Sequence, residues 1–180
     1  MSSPSPDPYD ALGLPYRVAV LCYLYDELGR LLLLHRRKLP NSDMYSPIGG
    51  KVEIAQGESP HDCAAREVRE EAGIAAAATD MQLTGIVAER AYQGQAHWLL
   101  FCFEFCRTLG AKEIPEREFE EGRLEWVPVD EVARKNIPQI DSTVLWPLIQ
   151  RHRGGFFVVD VDCSAEPPRA TVRESRAAGL

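Results

Sequence analysis

One predicted helix, between Ser59 and Gly73, constrains the fold of this chain more than any other segment does. Ser59 is a favourable N-cap, and Pro60 suits the first helical position because no N–H is needed there. Gly73 can adopt the left-handed backbone conformation that commonly follows the last helical residue. These boundaries predict a helix over residues 60–72.

Three glutamates share one side of this predicted helix. With about 100° of rotation per residue, Glu70 and Glu71 fall within about 60° of Glu67, and an apolar stripe lies next to them. Like charges at these spacings each cost about 0.2–0.5 kcal/mol on an exposed helix, so stability alone does not favour the cluster. The alternative interpretation is a solvated acidic face, partly relieved by an i,i+4 pair between Arg66 and Glu70.

A glycine pair upstream of the helix favours a metal site over a solvated face. Gly49 and Gly50 precede Lys51, and glycines let the backbone approach a ligand closely. Carboxylate and carbonyl oxygens suit hard divalent cations, and Mg²⁺ prefers octahedral oxygen ligands while keeping several water molecules.

Residues 50–74 resemble the Nudix box, whose pattern is G-x5-E-x7-R-E-U-x-E-E-x-G-U, with U a bulky aliphatic residue. The second half is complete, because Glu58 is followed by seven residues and then by Arg66-Glu67-Val68-Arg69-Glu70-Glu71-Ala72-Gly73-Ile74. In the first half, seven residues rather than five separate Gly50 from Glu58, and Gln56 occupies the strict position. We predict a two-residue insertion in the loop after Glu53, where added length costs little.

The resemblance implies a divalent-metal-dependent pyrophosphohydrolase. It implies that Glu67, Glu70 and Glu71 ligate Mg²⁺, or alternatively Mn²⁺, together with the carbonyl oxygen of Gly49 or Gly50. In Nudix enzymes the protein contributes these ligands, and the bound ion supplies the positive charge that phosphate chemistry needs.

Other residues of the box are expected to support the metal ligands. The resemblance implies that Arg66 holds the acidic network in place with Glu58, while Gly73 ends the helix at a fixed distance from the acids. Lys51 is a candidate for contact with a substrate phosphate, and a solvated loop lysine is the alternative.

A second acidic segment supplies the candidate general base. In MutT-like relatives a further glutamate comes from the loop before a strand that carries a tryptophan. Glu120 and Glu121 lie in the corresponding loop, upstream of Trp126. We predict Glu121 as the catalytic base, with an acidic loop of no catalytic role as the alternative. Trp126 is the predicted substrate-binding aromatic residue, although such residues also pack in cores and at edges.

The predicted elements follow the order β-β-loop-α-β-β-β-α-β, which is an α/β chain with a mixed sheet and helices on both sides. This agrees with the α/β/α sandwich, a mixed β-sheet between helices, that the resemblance implies. We predict a disordered N-terminal arm over residues 1–15, one domain over residues 16–163, and a disordered tail over residues 164–180.

Composition restricts the partners. The formal net charge of −7 argues against nucleic-acid binding through a broad basic surface, and no apolar run is long enough to cross a membrane. Five cysteines without a Cys-x-x-Cys pair favour a reducing cytoplasm. We expect a small-molecule nucleotide as the partner, with a homodimer left open because Nudix proteins are often dimers.

The favoured substrate is a nucleoside di- or triphosphate derivative, foremost a (d)NTP or a damaged (d)NTP that is cleaved to the monophosphate. Family members acting on ADP-ribose tend to carry a proline about sixteen residues beyond the final glycine of the box, and Glu89 occupies that position here. ADP-ribose, a nucleotide sugar or a dinucleoside polyphosphate are alternative substrates. A non-catalytic nucleotide-sensing Nudix domain is a further alternative, which the complete R-E-x-x-E-E set disfavours.

Overall fold

The computed structural model describes residues 13–38, 41–110, 112–114 and 118–179, except for the side chain of Phe119. Its strands and α-helices in chain order are β1 (Tyr16–Tyr23), β2 (Leu31–Arg36), β3 (Tyr45–Pro47), α1 (Pro60–Ala72), β4 (Met81–Tyr92), β5 (Ala96–Phe105), β6 (Glu118–Phe119), β7 (Gly122–Val127), α2 (Trp146–Arg151), β8 (Phe156–Asp162) and β9 (Arg169–Arg176).

The larger sheet is mixed and has the strand order β1-β5-β4-β8-β9. The β1–β5 and β4–β8 pairs are parallel, while the β4–β5 and β8–β9 pairs are antiparallel. The mixed sheet and the α/β class predicted from the sequence are therefore confirmed.

A second sheet has the order β3-β2-β7-β6 and is antiparallel throughout. The strand pattern of the sequence predicts a single sheet and predicts neither β3 nor β6. Both are short, and β3 ends in Pro47, which cannot donate a backbone hydrogen bond to a ladder. Pairing with β2, rather than a pattern within β3 itself, makes this segment a strand.

Helix α1 has the predicted bounds. The Ser59 hydroxyl accepts a hydrogen bond from the Asp62 N–H at 3.2 Å, and Gly73 adopts a φ of 69° directly after the helix. Its alanines and Val68 pack in a buried cluster with β1, β2 and β5. This packing fixes the helix beside the glycine loop that joins β3 to α1.

The second predicted helix is divided in the structure. Residues Asp141–Leu145 form a wide π-helical turn in which the Trp146 N–H donates to the Asp141 carbonyl, and α2 follows. Pro147 explains the division, because a proline has no N–H to continue an α-helical ladder. In the part of the chain that the structure describes, no helix combines the length and apolarity needed to cross a bilayer.

The prediction of a disordered C-terminal tail is wrong for Arg169–Arg176, which form β9 along the edge of β8. All eight residues of β9 are exposed, so backbone pairing holds the strand rather than the burial pattern that sequence reasoning depends on. Residues 1–12 of the predicted N-terminal arm lie outside the described residues.

Candidate functional site

The glycine loop is fixed against β1 by backbone hydrogen bonds. Cys22 donates to the Ile48 carbonyl at 2.7 Å, and Val20 donates to the Gly50 carbonyl at 2.9 Å. A Cβ atom at Gly49 would stand 2.1 Å from the Val20 carbonyl oxygen, so only glycine permits this approach. The loop therefore presents a fixed backbone edge to α1.

Each glycine of the pair positions one carboxylate of α1. The Gly49 N–H donates to Glu71 Oε2 at 3.0 Å. Gly50 makes room for Glu67, because a Cβ atom there would stand 2.2 Å from Glu67 Oε1. Glu67 and Glu71 are only 8% and 9% exposed, so both carboxylates are held in a largely dry position.

Arg66 is the centre of the acidic network. Its Nε and Nη2 donate to the two carboxylate oxygens of Glu58 at 2.8 and 3.0 Å. Its Nη1 donates to Glu67 at 2.6 Å and to Glu70 at 3.2 Å, and Nη2 also reaches the Lys51 carbonyl at 3.2 Å. All three guanidinium nitrogens are thus engaged by the protein. The predicted pairing of Arg66 with Glu58 is present in the structure.

The glutamates of this network differ in their pKa values. Burial raises the pKa of Glu71 to about 8, and the negative charges of Glu67 and Glu121 add to that rise while the Gly49 amide opposes it. Burial also raises the pKa of Glu67, against the opposing effect of Arg66. Hydrogen bonds from Arg66 hold the pKa of Glu58 at about 2. Glu58 is thus a compensated anion, whereas burial disfavours the ionised forms of Glu67 and Glu71, which a bound cation would stabilise.

The residues present fit a hard divalent cation in chemistry, although their carboxylates do not yet converge. Across the described ranges, no three acidic, histidine or cysteine side chains are arranged as a coordination shell. The Glu70 side chain is 61% exposed, and among the described residues its carboxylate pairs with Arg66 at 3.2 Å, so the surrounding protein leaves room for it to turn toward a cation. Glu67 and Glu71 fit such a cation because their carboxylate oxygens are buried and their charge is not fully compensated by the protein.

The structure distinguishes the two candidate carbonyl ligands. The Gly50 carbonyl is already an acceptor for Val20 at 2.9 Å, whereas no donor to the Gly49 carbonyl appears among the backbone hydrogen bonds of the described residues. Gly49 is therefore the better candidate. Gly73 plays the predicted terminal role, with its N–H donating to the Arg69 carbonyl at 3.2 Å.

Glu121 and Glu120 differ in their electrostatic surroundings. Burial is the main cause of the raised pKa values of Glu67 and Glu71, and the negative charge of Glu121 adds to both. Glu120 is bound instead to Lys38 at 2.5 Å and is exposed. Glu121 therefore stays the predicted base of the two.

The two predicted substrate contacts have different surroundings. The Lys51 residue is exposed and forms no ion pair with any residue of the described segments. Trp126 is half-buried on β7 and packs against the cluster that holds α1, so much of its ring serves the core. Its Nε1 is buried without a hydrogen-bond partner in the described part of the chain.

Sequence reasoning missed Arg36. Its Nε is buried without a hydrogen-bond partner in the described part of the chain, and its positive charge lowers the pKa of Glu71. The available signal was the alternation along β2, since Arg36 follows Leu32 and Leu34 at two-residue spacing and both leucines face α1.

A model of the NUDIX domain family matches residues 15–146, which include all of the site described above. The chain belongs to the Nudix family. Nudix enzymes generally use divalent metal ions. The described arrangement of the box residues is therefore that of a family member and not a chance cluster of acids.

Solved structures agree with this assignment. A MutT protein from Bacillus halodurans is 26% identical, with 81% of this chain and 89% of that chain covered at a TM-score of 0.64. A MutT NUDIX hydrolase from Burkholderia pseudomallei is also 26% identical, covering 69% and 88% at a TM-score of 0.51. This Nudix protein is a pyrophosphohydrolase.

A more distant structure shares only the fold. The NUDIX domain of NrtR from Shewanella oneidensis, solved in complex with ADP-ribose, is 14% identical and covers 80% of this chain and 91% of its own at a TM-score of 0.60. The ADP-ribose in that structure is a ligand of the NrtR domain.

Proposed function

We propose that this Nudix enzyme hydrolyses a nucleoside triphosphate, ordinary or damaged, to the monophosphate and pyrophosphate with Mg²⁺ as its cofactor. The observation that carries the proposal is the pair of buried carboxylates, Glu67 and Glu71, held against Gly50 and Gly49. Buried acids in a fixed position beside an accessible third acid, Glu70, suit a hard cation that also binds phosphate oxygens.

The protein residues divide into ligands and supports. Glu67, Glu70, Glu71 and the Gly49 carbonyl would hold the cation, which when bound neutralises the phosphate oxygens, orients them and acidifies a water molecule. Arg66 keeps Glu67 and Glu70 within 3.2 Å of its Nη1 and so restricts where the carboxylates can move. The Arg66 side chain acts on the substrate only through these acids.

Glu121 is the proposed general base. Attack of a water oxygen on phosphorus forms one P–O bond and breaks the anhydride P–O bond, and the water proton passes to the Glu121 carboxylate. Glu121 is exposed, so it can return the proton to solvent after the products leave. Lys51 and Trp126 are proposed contacts of the phosphates and the base, respectively.

The choice of a triphosphate over ADP-ribose is supported by Glu89. This residue stands where ADP-ribose enzymes tend to carry a proline, and it is buried within β4 at 4% exposure. The NrtR domain shows that ADP-ribose fits the fold, so ADP-ribose remains the second candidate. A buried carboxylate in place of a proline changes both the backbone and the charge at that position.

A substrate panel tests the proposal directly. The purified chain is incubated with the four canonical dNTPs, 8-oxo-dGTP, ADP-ribose, a UDP-sugar and a dinucleoside tetraphosphate, each with Mg²⁺ and with EDTA. We expect Mg²⁺-dependent release of monophosphate and pyrophosphate, fastest from a triphosphate. Faster turnover of ADP-ribose would assign the second candidate, and tight nucleotide binding without any product would indicate a sensor.

A further inference from the structure

The strand β2 presents alternating side chains to two different cores. Leu32 and Leu34 belong to the cluster that packs on α1, whereas Leu31 and Leu33 belong to the cluster on the opposite side. By the same alternation, Arg36 faces α1. We define the α1-facing side of the β3-β2-β7-β6 sheet as the donor face.

Gly122 opens space on the donor face next to Arg36. The two residues are register partners of β2 and β7, and a Cβ atom at Gly122 would stand 2.9 Å from Leu34 Cδ1. It would also stand 2.1 Å from the His35 carbonyl oxygen, so glycine is required at this position. No side chain of β7 therefore covers Arg36 from its paired position.

Arg36 has an unused hydrogen-bond donor. Its Nε is buried and has no partner among the residues that the structure describes. Its neighbours along the chain differ, because Arg37 pairs with Glu118 at 3.4 Å and Lys38 pairs with Glu120 at 2.5 Å. A buried N–H without an acceptor is destabilising, so its retention is accounted for if a bound ligand supplies the acceptor.

Two further buried donors on the donor face also have no partner within the described segments, namely Ser46 Oγ and Trp126 Nε1. Ser46 is the register partner of Leu34, and Trp126 is the register partner of Leu32, so both side chains share the face of Arg36. Three unpartnered donors on one face point to a ligand rich in acceptors.

The position of Arg36 identifies the acceptor as phosphate. Its side chain shares the α1-facing side of β2 with Leu32 and Leu34, and its register partner Gly122 directly follows Glu121, the proposed base. Arg66 cannot serve the substrate in the same way, because all of its guanidinium nitrogens already donate to Glu58, Glu67, Glu70 and Lys51. A guanidinium fork matches the spacing of phosphate oxygens.

We propose that Arg36 binds the phosphate chain of the substrate beside the metal acids, with Ser46 as a second donor on the same face. This inference rests on the proposed function, since it assigns a further residue to that site. When substrate binds, the buried Nε–H of Arg36 donates to a phosphate oxygen and so gains the acceptor that it lacks among the described residues. Arg36 thus selects for a chain of phosphates.

The test compares Arg36→Gln and Arg36→Lys with Arg37→Gln as the matched control. Binding of inorganic pyrophosphate in the presence of Mg²⁺ is measured by calorimetry, and binding of Mn²⁺ alone by electron paramagnetic resonance. We expect Arg36→Gln to weaken pyrophosphate binding by about 10- to 100-fold. Arg36→Gln should leave Mn²⁺ binding unchanged or stronger, because it removes a positive charge that repels the metal ion. Arg36→Lys should recover part of the loss, and Arg37→Gln should match the unmodified chain.

The outcomes separate this inference from the proposed function. Pyrophosphate binding by Arg36→Gln equal to that of the unmodified chain would overturn the role of Arg36. Equal losses of Mn²⁺ and pyrophosphate binding would assign Arg36 to the support of Glu71 alone, which also overturns it. If Arg36→Gln fails to fold, the loss and the partial recovery are read from Arg36→Lys against Arg37→Gln. Absence of any hydrolysis by the unmodified chain would instead contradict the proposed function.

Discussion

Arg66 binds Glu58 through two parallel hydrogen bonds, from Nε to Oε1 at 2.8 Å and from Nη2 to Oε2 at 3.0 Å. Glu58 lies just before α1 and Arg66 lies within it, so the pair ties the loop to the helix that holds the acids. Glu58 Oε2 also accepts the Glu53 N–H at 2.8 Å, which fixes the exposed turn in the predicted insertion. An insertion at that turn would therefore not displace Glu58 from Arg66.

The Glu58–Arg66 pair predicts an acid-dependent loss of stability. Because the pKa of Glu58 is lowered from about 4.5 to about 2 on folding, its contribution is complete above about pH 4.5 and is lost as the pH falls toward 2. We expect Glu58→Gln to lower the free energy of unfolding by about 1–2 kcal/mol at pH 7 and by less at pH 3. Urea unfolding at the two pH values measures this, with exposed Glu53→Gln as the control; an equal loss at both would contradict it.

The metal acids predict a loss of turnover without a loss of fold. Glu70 is exposed, so Glu70→Gln should leave the melting temperature nearly unchanged while lowering kcat by about 100-fold or more. The same variant should lose the rise in melting temperature that Mg²⁺ gives the unmodified chain, since a ligand that binds only the folded state stabilises it. Thermal melts with and without Mg²⁺ beside steady-state rates provide the measurement. Full turnover in Glu70→Gln would remove Glu70 from the metal site.

The position of Glu121 predicts different effects for two adjacent glutamates. Glu121→Gln should lower the single-turnover rate by about 10²- to 10⁴-fold and flatten its dependence on pH, because the group that accepts the water proton is gone. Glu120→Gln should change the rate by less than about twofold, because Glu120 is engaged with Lys38 at the surface. Rapid-quench rates between pH 6 and pH 9 compare the two. Two unaffected variants would rule out this loop as the source of the base.

Local signals made the helix and its acids predictable. Ser59, Pro60 and Gly73 specify the ends of α1 through capping chemistry, which needs no knowledge of the rest of the chain. The pairing of Arg66 with Glu58 could be predicted from the resemblance to the Nudix box. The class of fold was also predicted correctly, because the order of strand-like and helical segments can be read from local patterns.

Long-range pairing was less accessible to sequence reasoning. Strand β9 is entirely exposed and exists through its hydrogen bonds to β8, so its residues carry no alternation that could predict it. Arg36 was missed because an arginine at the end of a strand is usually solvated, and only the burial of its Nε separates it from Arg37. Each of these depends on contacts between segments far apart in the chain.

Two carboxyl groups away from the metal acids, the buried Glu89 and the half-buried Asp141, predict an opposite dependence of stability on pH. Glu89 is 4% exposed, with no hydrogen bond or ion pair to any described residue, and burial together with the charge of Asp141 raises its pKa to about 7. Burial raises the pKa of Asp141 to about 7 as well. Folding therefore favours the protonated forms of both groups.

The free energy of unfolding should fall as the pH rises from about 4.5 to about 7, because over this interval the folded chain holds protons that the unfolded chain has released. Glu89→Gln removes the penalty of ionisation, so we expect its melting temperature at pH 8 to exceed that of the unmodified chain by about 5 °C, with little difference at pH 5. Calorimetry at both pH values measures this, with exposed Glu131→Gln as the control. If Glu89→Gln lowered the melting temperature equally at pH 5 and pH 8, the side chain would be making a contact that the amide cannot replace, and the burial of an uncompensated carboxylate would no longer account for its pKa.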